Sequence, residues 1–474
     1  MMEIDEILAA AGRGRPPAAI YSSEAVYAAE RSRLFPRTWQ FLAHESEIPA
    51  PGDFVVRRIL DDSFIVARDD NGTVRVLLNV CLHRGMQVCR SELGNTSHFR
   101  CPYHNWTYRN TGELVGVPFH AEAYGGEAGL PKAERSLIRP RHESYRGMIF
   151  ACLDPAAPSL ADYLGDYRFF LDFYLHQSES GAQFAGPQRW LIHSNWKIGA
   201  ENFAGDSYHT PHTHASIVEI GLFREPRASK RKEGATYQVG PGGGTTYKLP
   251  TEDARENLGY VGYPAEMIDR MHEAWTPGQL ELAGRGRFMV SASTLFPNLS
   301  LVHNWPQVNA DGLVVPFISV RLWQPAGPGE TEVLSWFVVD SHAPDWFKAA
   351  SYRAYLLCFG SSGMFEQDDV ENWTSITSMS RGYLSSSVLL DSTMGLAAPP
   401  PAAPVDWPAP GTAHVGFGEY GQRAFLRRWA GYCAPPPGQP VAEPDQEAEV
   451  SPLGRSSLRP AADSGGPDSK AVAG

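Results

Sequence analysis

The sequence predicts an α+β protein of two domains, an all-β module followed by a larger module in which antiparallel strands and helices mix. Three observations carry this. The chain has 474 residues, more than one hydrophobic core usually supports. Between Gly52 and about Asp154, short runs of β-prone residues alternate with turn residues. Beyond Arg189, segments of period-two alternation are followed by long helical stretches.

In the first module, Phe54–Ile59 and Phe64–Arg68 flank an Asp-Asp-Ser turn, and Asp70-Asn71-Gly72 leads into Thr73–Val80. Longer loops follow Cys81 and Cys101. Tyr163–Leu175 reads as a helix opening the second module, then Arg189–Ile192 as a strand and Asn195 as the start of a helix. Arg224–Lys248, with Gly242-Gly243-Gly244, reads as a long flexible loop; it lacks the Lys-Ser or Lys-Thr of a phosphate loop. Phe288–Ser293, Leu299–His303, Val314–Trp323 and Glu332–Val339 read as antiparallel strands, with Pro325–Gly329 as a connecting turn. Helices follow over Pro344–Phe359 and from Met364. The expected organisation is an N-terminal segment 1–40 packed on the second module, a β domain 41–155, a larger mixed domain 156–433, and a disordered Pro/Ala/Ser/Gly-rich tail 434–474.

A net charge of −12, with no basic stripe interleaved with aromatics, argues against a nucleic-acid binder. No apolar run reaches the eighteen residues of a membrane span, and Met1–Arg15 lacks the pattern of a secretory signal. A cytoplasmic location is the expectation, where clustered cysteines signal metal or catalysis rather than disulfides. Of six cysteines, Cys89, Cys152, Cys358 and Cys433 have no evident ligand partners and read as buried thiols.

Cys81-Leu82-His83 is followed by Cys101-Pro102-Tyr103-His104. Two thiolates and two imidazoles on two loops of a β domain can hold one zinc or a two-iron cluster. Structural zinc often uses two cysteines on one arm. One Cys and one His per arm suits a [2Fe–2S] cluster with both cysteines on one iron and both histidines on the other. With Arg84-Gly85 after the first His and Trp106 after the second, the block resembles the Rieske domain of aromatic-ring-hydroxylating oxygenases. That resemblance implies a β-sandwich carrying the cluster at one tip, with His83 and His104 partly exposed.

A second constellation runs from Asn195-Trp196-Lys197 through Glu201–His209 to Thr210-Pro211-His212-Thr213-His214. Three histidines beside two carboxylates suggest a two-His, one-carboxylate triad that leaves positions open on iron. Helical spacing alone favours His209 with His212, but Pro211 disfavours a regular helix at Thr210. The resemblance instead implies His209 and His214 as ligands, with Asp369 as the third and Asp368 as the runner-up. By itself, the acidic run around Asp368 and Asp369 reads as a solvated charged face. The resemblance also implies that Asp206 bridges His209 to the cluster ligand His104 of a neighbouring subunit, hence a ring-shaped homotrimer.

Asn202, Phe203, Phe359 and Phe365, with Asn298 as a weaker candidate, are implied around the substrate. The resemblance covers about residues 40–430, and it implies a Rieske sandwich followed by a helix-grip-like domain with a curved antiparallel sheet. The implied activity is that of the large (alpha) subunit of an oxygenase with one [2Fe–2S] cluster and one mononuclear Fe(II). Electrons come from a ferredoxin and its NAD(P)H reductase, and both oxygen atoms of O₂ enter an aromatic ring as a cis-dihydrodiol. A small β subunit would complete an α3β3 assembly. The absence of a cation in these segments points to a neutral mono- or polycyclic hydrocarbon, although Arg224, Arg227 or Lys230-Arg231-Lys232 could reach an aromatic carboxylate of the phthalate type. A monooxygenase or demethylase of the same family is the other alternative.

Overall fold

The computed structural model describes residues 3–222, 234–308, 312–396 and 407–435. Arg224, Arg227 and the Lys230–Lys232 run, and all but the first two residues of the tail, lie outside the described residues.

The first module is made of small antiparallel sheets. One orders the strands Val74–Leu78, Asp62–Arg68, Asp53–Ile59 and Leu93–Asn95; another joins His98–Arg100, Thr107–Arg109 and Leu114–Gly116. A third brings Gln40–His44 against Met148–Cys152 and Arg141–Tyr145, which closes the module between its two ends. Its core gathers Phe54, Ile65, Leu77, Phe99, Trp106 and Tyr108 around Cys81 and Cys101.

The second module is built on one eight-stranded antiparallel sheet. Its order is Ala182–Ile192, Glu330–Asp340, Phe317–Gly327, Leu299–Asn304, Phe288–Leu295, Gly242–Lys248, Ala235–Val239 and Thr412–Val415. The strands from 317 and 330 are buried on both faces, which is why their apolar runs are nearly continuous. Helix Trp196–Phe203 packs on this sheet, as does helix Asp345–Phe359, which also contacts the helix Met364–Met379 that follows it.

Four local expectations change. Gly242–Gly244 is a strand rather than a loop, paired with Ala235–Val239 and with Phe288–Leu295. A Cβ on Gly242 would lie 2.2 Å from Tyr167, and one on Gly244 would lie 2.2 Å from the carbonyl of Ala292, so the glycines serve close packing. The helix at Tyr163 is broken by a 3₁₀ turn at Gly165–Tyr167 into Leu160–Leu164 and Arg168–Leu175. Pro325 belongs to the end of a strand, and the turn shrinks to the residues just after Gly327. The strand at Arg189 begins at Ala182.

The chain's first forty residues share the catalytic module's core, through Ile7, Leu8, Ile20, Tyr21 and Phe35. A fully buried Glu30 accepts hydrogen bonds from Lys197 Nζ at 2.6 Å, Trp429 Nε1 at 2.8 Å and Trp196 Nε1 at 3.0 Å. Every partner of this charge is supplied, so deleting Lys197 alone would leave an uncompensated buried carboxylate, at a cost of about 3–5 kcal/mol. Cys89, Cys152, Cys358 and Cys433 are buried free thiols.

Candidate metal centres

The two Cys-x-His loops are built alike. The N–H of Cys81 donates to Met86 O and that of Cys101 to Trp106 O, each at 2.8 Å. Gly85 N returns to Cys81 O at 2.9 Å and Asn105 N to Cys101 O at 3.0 Å. Gly85 and Asn105, each four residues after its Cys, both take a left-handed backbone, with φ of 74° and 58°. Gly and Asn are residue types that adopt this conformation at low cost. Two equivalent backbone knuckles thus face one another.

Both thiols are buried, and the His83 and His104 rings meet edge to face at 4.4 Å. Trp106 stacks on His83 at 4.9 Å, and Tyr108 Oη lies 3.3 Å from Cys81 Sγ. Burial raises the pKa of Cys81, and neighbouring Cys101 raises it further. His83 Nδ1 is buried with no hydrogen-bond partner in the protein. An orphaned imidazole nitrogen beside paired thiols fits a cluster that binds both. Among the described residues, these four side chains do not offer three ligand atoms within 4.8 Å of one another. That spread suits two irons better than one tetrahedral zinc.

The second site does gather three. Ligand atoms of His209, His214 and Asp369 all lie within 4.8 Å of one another. Asp369 Oδ1 stands 3.3 Å from His214 Nε2 and 3.5 Å from His209 Nε2. The opposite nitrogens have carboxylate partners of their own: His209 Nδ1 meets Asp206 at 3.2 Å, and His214 Nδ1 meets Asp368 at 3.2 Å. With Nδ1–H donating outward in both rings, two Nε2 lone pairs and a carboxylate oxygen converge on one point. Three acceptors facing each other suit a cation.

Local sequence explains the placement. Asn195 caps the helix Trp196–Phe203 by accepting from Lys197 N, and the chain leaves that helix at Ala204-Gly205. A Cβ on Gly205 would come within 2.9 Å of Thr236, so the chain passes close to the sheet before turning to His209. Thr210–Thr213 then forms one short turn that sends His214 inward, 3% exposed, and leaves His212 on the surface. Asp369 reaches the site from the helix beginning at Met364. A Cβ on Gly363 would strike the Cys358 carbonyl at 2.4 Å, so the tight turn before that helix requires glycine.

Burial works against the Asp206 carboxylate, but its bonds from His209 and from the Tyr208 and His209 backbone hold its pKa below the ordinary value. Glu201, bonded by Tyr21 at 2.6 Å, is lifted by burial to about 7.

A cavity opens on the three-residue group, lined by Asn202, Phe203, Phe359 and Phe365 together with Asn304 and Val302. Phe359 stacks on Phe365 at 5.2 Å, and Phe365 lies 4.5 Å from the His214 ring. Asn298 is not among the lining residues. It donates to Trp323 O at 3.0 Å and braces a turn, and Asn304, on the following strand, lines the cavity instead. Nothing in the sequence marked Asn304, at the end of a strand, as a lining residue, and Thr245, Thr246 and Tyr247 went unmarked because the hairpin that presents them reads as a glycine-rich loop.

Residues 38–133 match the family described as Rieske [2Fe-2S] domain, and residues 161–434 match that described as ring hydroxylating alpha subunit (catalytic domain). The chain belongs to the ring-hydroxylating alpha subunits. It is a Rieske non-haem iron oxygenase, with a [2Fe–2S] cluster and a mononuclear iron as its cofactors. It is 38% identical to the N,N-dimethyl phenylurea N-demethylase subunit alpha of Sphingobium sp., over 77% of this chain and 80% of that one. It is 36% identical to the biphenyl 2,3-dioxygenase subunit alpha of Rhodococcus jostii, over 88% of each. The structure of naphthalene 1,2-dioxygenase from Rhodococcus sp. bound to indole superposes with a TM-score of 0.84 at 43% identity, covering 91% of this chain and 98% of that one. Among the described residues no helix is long and apolar enough to cross a membrane.

Proposed function

We propose that this chain is the large subunit of a terminal oxygenase that cis-dihydroxylates a neutral mono- or polycyclic aromatic hydrocarbon, with electrons delivered by a ferredoxin and its reductase. One observation carries the reading: three convergent ligand side chains open onto a cavity walled by Phe203, Phe359 and Phe365. In this reading Cys81, His83, Cys101 and His104 hold the cluster, and His209, His214 and Asp369 hold the mononuclear iron. Bound there, the cluster stores electrons and the iron uses them to activate dioxygen.

The protein's own side chains do the rest. The aromatic wall stacks against a flat ring and keeps water from the reacting face. No Lys or Arg lines the cavity among the described residues, which favours a neutral substrate over a carboxylate. Asp206 and Asp368 hold the two imidazoles in the tautomer that turns Nε2 inward. In the homotrimer we infer, Asp206, whose side chain is 29% exposed, also reaches the neighbouring subunit's histidine, and Tyr103, 58% exposed, and the partly exposed His104 face that neighbour. A small β subunit would complete the α3β3 assembly, in the cytoplasm.

Turnover of a panel of mono- and polycyclic aromatics under labelled O₂ tests the reading. Two labelled oxygen atoms in one cis-diol are expected. A single labelled atom, or loss of an N-methyl group, would replace it with the monooxygenase or demethylase reading, which the resemblance to the phenylurea N-demethylase favours. Turnover of phthalate-type acids alone would overturn the neutral-substrate assignment.

A further inference from the structure

Behind the aromatic wall lies a charge that the proposed reaction does not use. Arg321, on the strand Phe317–Gly327, is fully buried, and its guanidinium pairs with the carboxylate of Glu366, itself 2% exposed. The same guanidinium donates from Nη2 to the backbone carbonyl of Phe359. Phe359 ends the helix Asp345–Phe359, and Glu366 sits in the first turn of the helix Met364–Met379. One side chain therefore bolts together both helix ends across the Gly360–Gly363 turn.

Its surroundings are the pocket's own walls seen from behind. Arg321 Cζ lies 4.9 Å from the Phe359 ring centroid, 5.9 Å from Phe203, 5.7 Å from Trp323 and 5.6 Å from Trp190. Phe203 and Phe359 also line the cavity, whereas Arg321 does not. Asp369 follows Glu366 by three residues on the same helix, so fixing Glu366 fixes the face from which Asp369 reaches the histidines. A buried ion pair is a poor device for stability alone, since apolar residues of similar volume often do as well or better. A planar fork with fixed donors does supply geometry.

We infer that Arg321 is a positioning and specificity-determining residue: through Glu366 and the Phe359 carbonyl it sets the aromatic wall against Asp369, and so decides which edge of a substrate ring meets the reacting centre. The inference rests on the iron site proposed above. Arg321 touches neither substrate nor ligand atoms, so its effect passes through Phe359 and the helix of Asp369.

The test uses the full-length oxygenase reconstituted with iron and sulfide, as wild type, Arg321→Met, Arg321→Lys and Glu366→Gln. Nitric oxide added to the ferrous enzyme gives an electron paramagnetic resonance signal whose rhombicity reports the mononuclear site's geometry without turnover. In parallel, the ratio of regioisomeric diols from substituted benzenes and biphenyl is measured, with thermal unfolding and the cluster's visible spectrum as controls. Arg321→Met and Glu366→Gln are expected to shift the nitrosyl rhombicity and the diol ratio alike. They should lower kcat by about tenfold or more, with KM within about twofold and the cluster spectrum unchanged. Arg321→Lys, which keeps the charge but loses the fork, should recover less than half of the change. Variants that melt earlier yet keep the wild-type rhombicity and diol ratio would reduce Arg321 to packing and overturn the inference. Should Arg321→Met fail to fold, Arg321→Lys and Glu366→Gln decide the matter by the same two readouts. A wild type that gives no mononuclear nitrosyl signal would bring down the iron site itself, and this inference with it.

Discussion

The two candidate metal centres solve the same problem with different parts. At the first, every proposed ligand lies within Cys81–His104, on two loops whose backbones repeat the same pair of hydrogen bonds. At the mononuclear site, His209 and His214 come from one irregular segment and Asp369 from a helix far along the chain. The first centre is shaped by backbone, with Trp106 stacked on His83 and Tyr103 against His104. In the second, side-chain carboxylates orient each imidazole, and a buried Arg–Glu pair aligns the helix that brings the third group.

The largest test of this contrast removes one ligand from each side. Cys101→Ser should abolish the cluster's visible spectrum and all turnover while the mononuclear site still takes up iron. His214→Ala should also abolish turnover but leave the visible spectrum intact, and His212→Ala should leave activity near wild type. If His212→Ala silences the enzyme and His214→Ala does not, the ligand assignment is wrong.

A smaller effect should follow at the supporting carboxylates. Asp368→Ala leaves His214 Nδ1 without its acceptor, and a loss of about 10–100-fold in iron affinity at the mononuclear site is expected by titration. An unchanged affinity would show that burial alone orients that ring. At the cluster the same test does not apply to His83 Nδ1, which has no protein partner and is the nitrogen a cluster would take.

The smallest effect concerns pH. Glu201 holds its proton up to about 7 in the folded protein, above an unfolded carboxylate near its ordinary 4.5. The folded state then binds more protons between these values, so this group's contribution is full below pH 4.5 and is lost as pH rises to about 7. Glu201→Gln should flatten that part of the melting temperature against pH, as read by calorimetry. A slope identical to wild type would assign the trend to other groups.

How far the sequence could be read follows the same divide. Cys81, His83, Cys101 and His104 were legible because their chemistry is compact, and the helices from Asn195, Pro344 and Met364 because caps and glycine breaks mark their ends. Pairing Asp369 with His209 and His214 needed a family resemblance, since an acidic run on a helix looks the same whether it faces solvent or a metal. Arg321 and Glu366 gave no signal at all: separated by 45 positions, they find each other only after a strand and a helix have packed. The glycines at 242–244 misled for a related reason, since the close approach they permit belongs to partners elsewhere in the chain.

Glu30 draws its hydrogen bonds from Trp196 and Lys197 near the middle of the chain and from Trp429 near its end. During synthesis, then, the knot cannot be fully tied until the helix Tyr420–Cys433 has left the ribosome, however early its first contacts emerge. A nascent chain halted short of Trp429 would hold that carboxylate by Lys197 and Trp196 alone, one donor short, so the oxygen-activating half closes its interior only when segments from three distant parts of the chain have met.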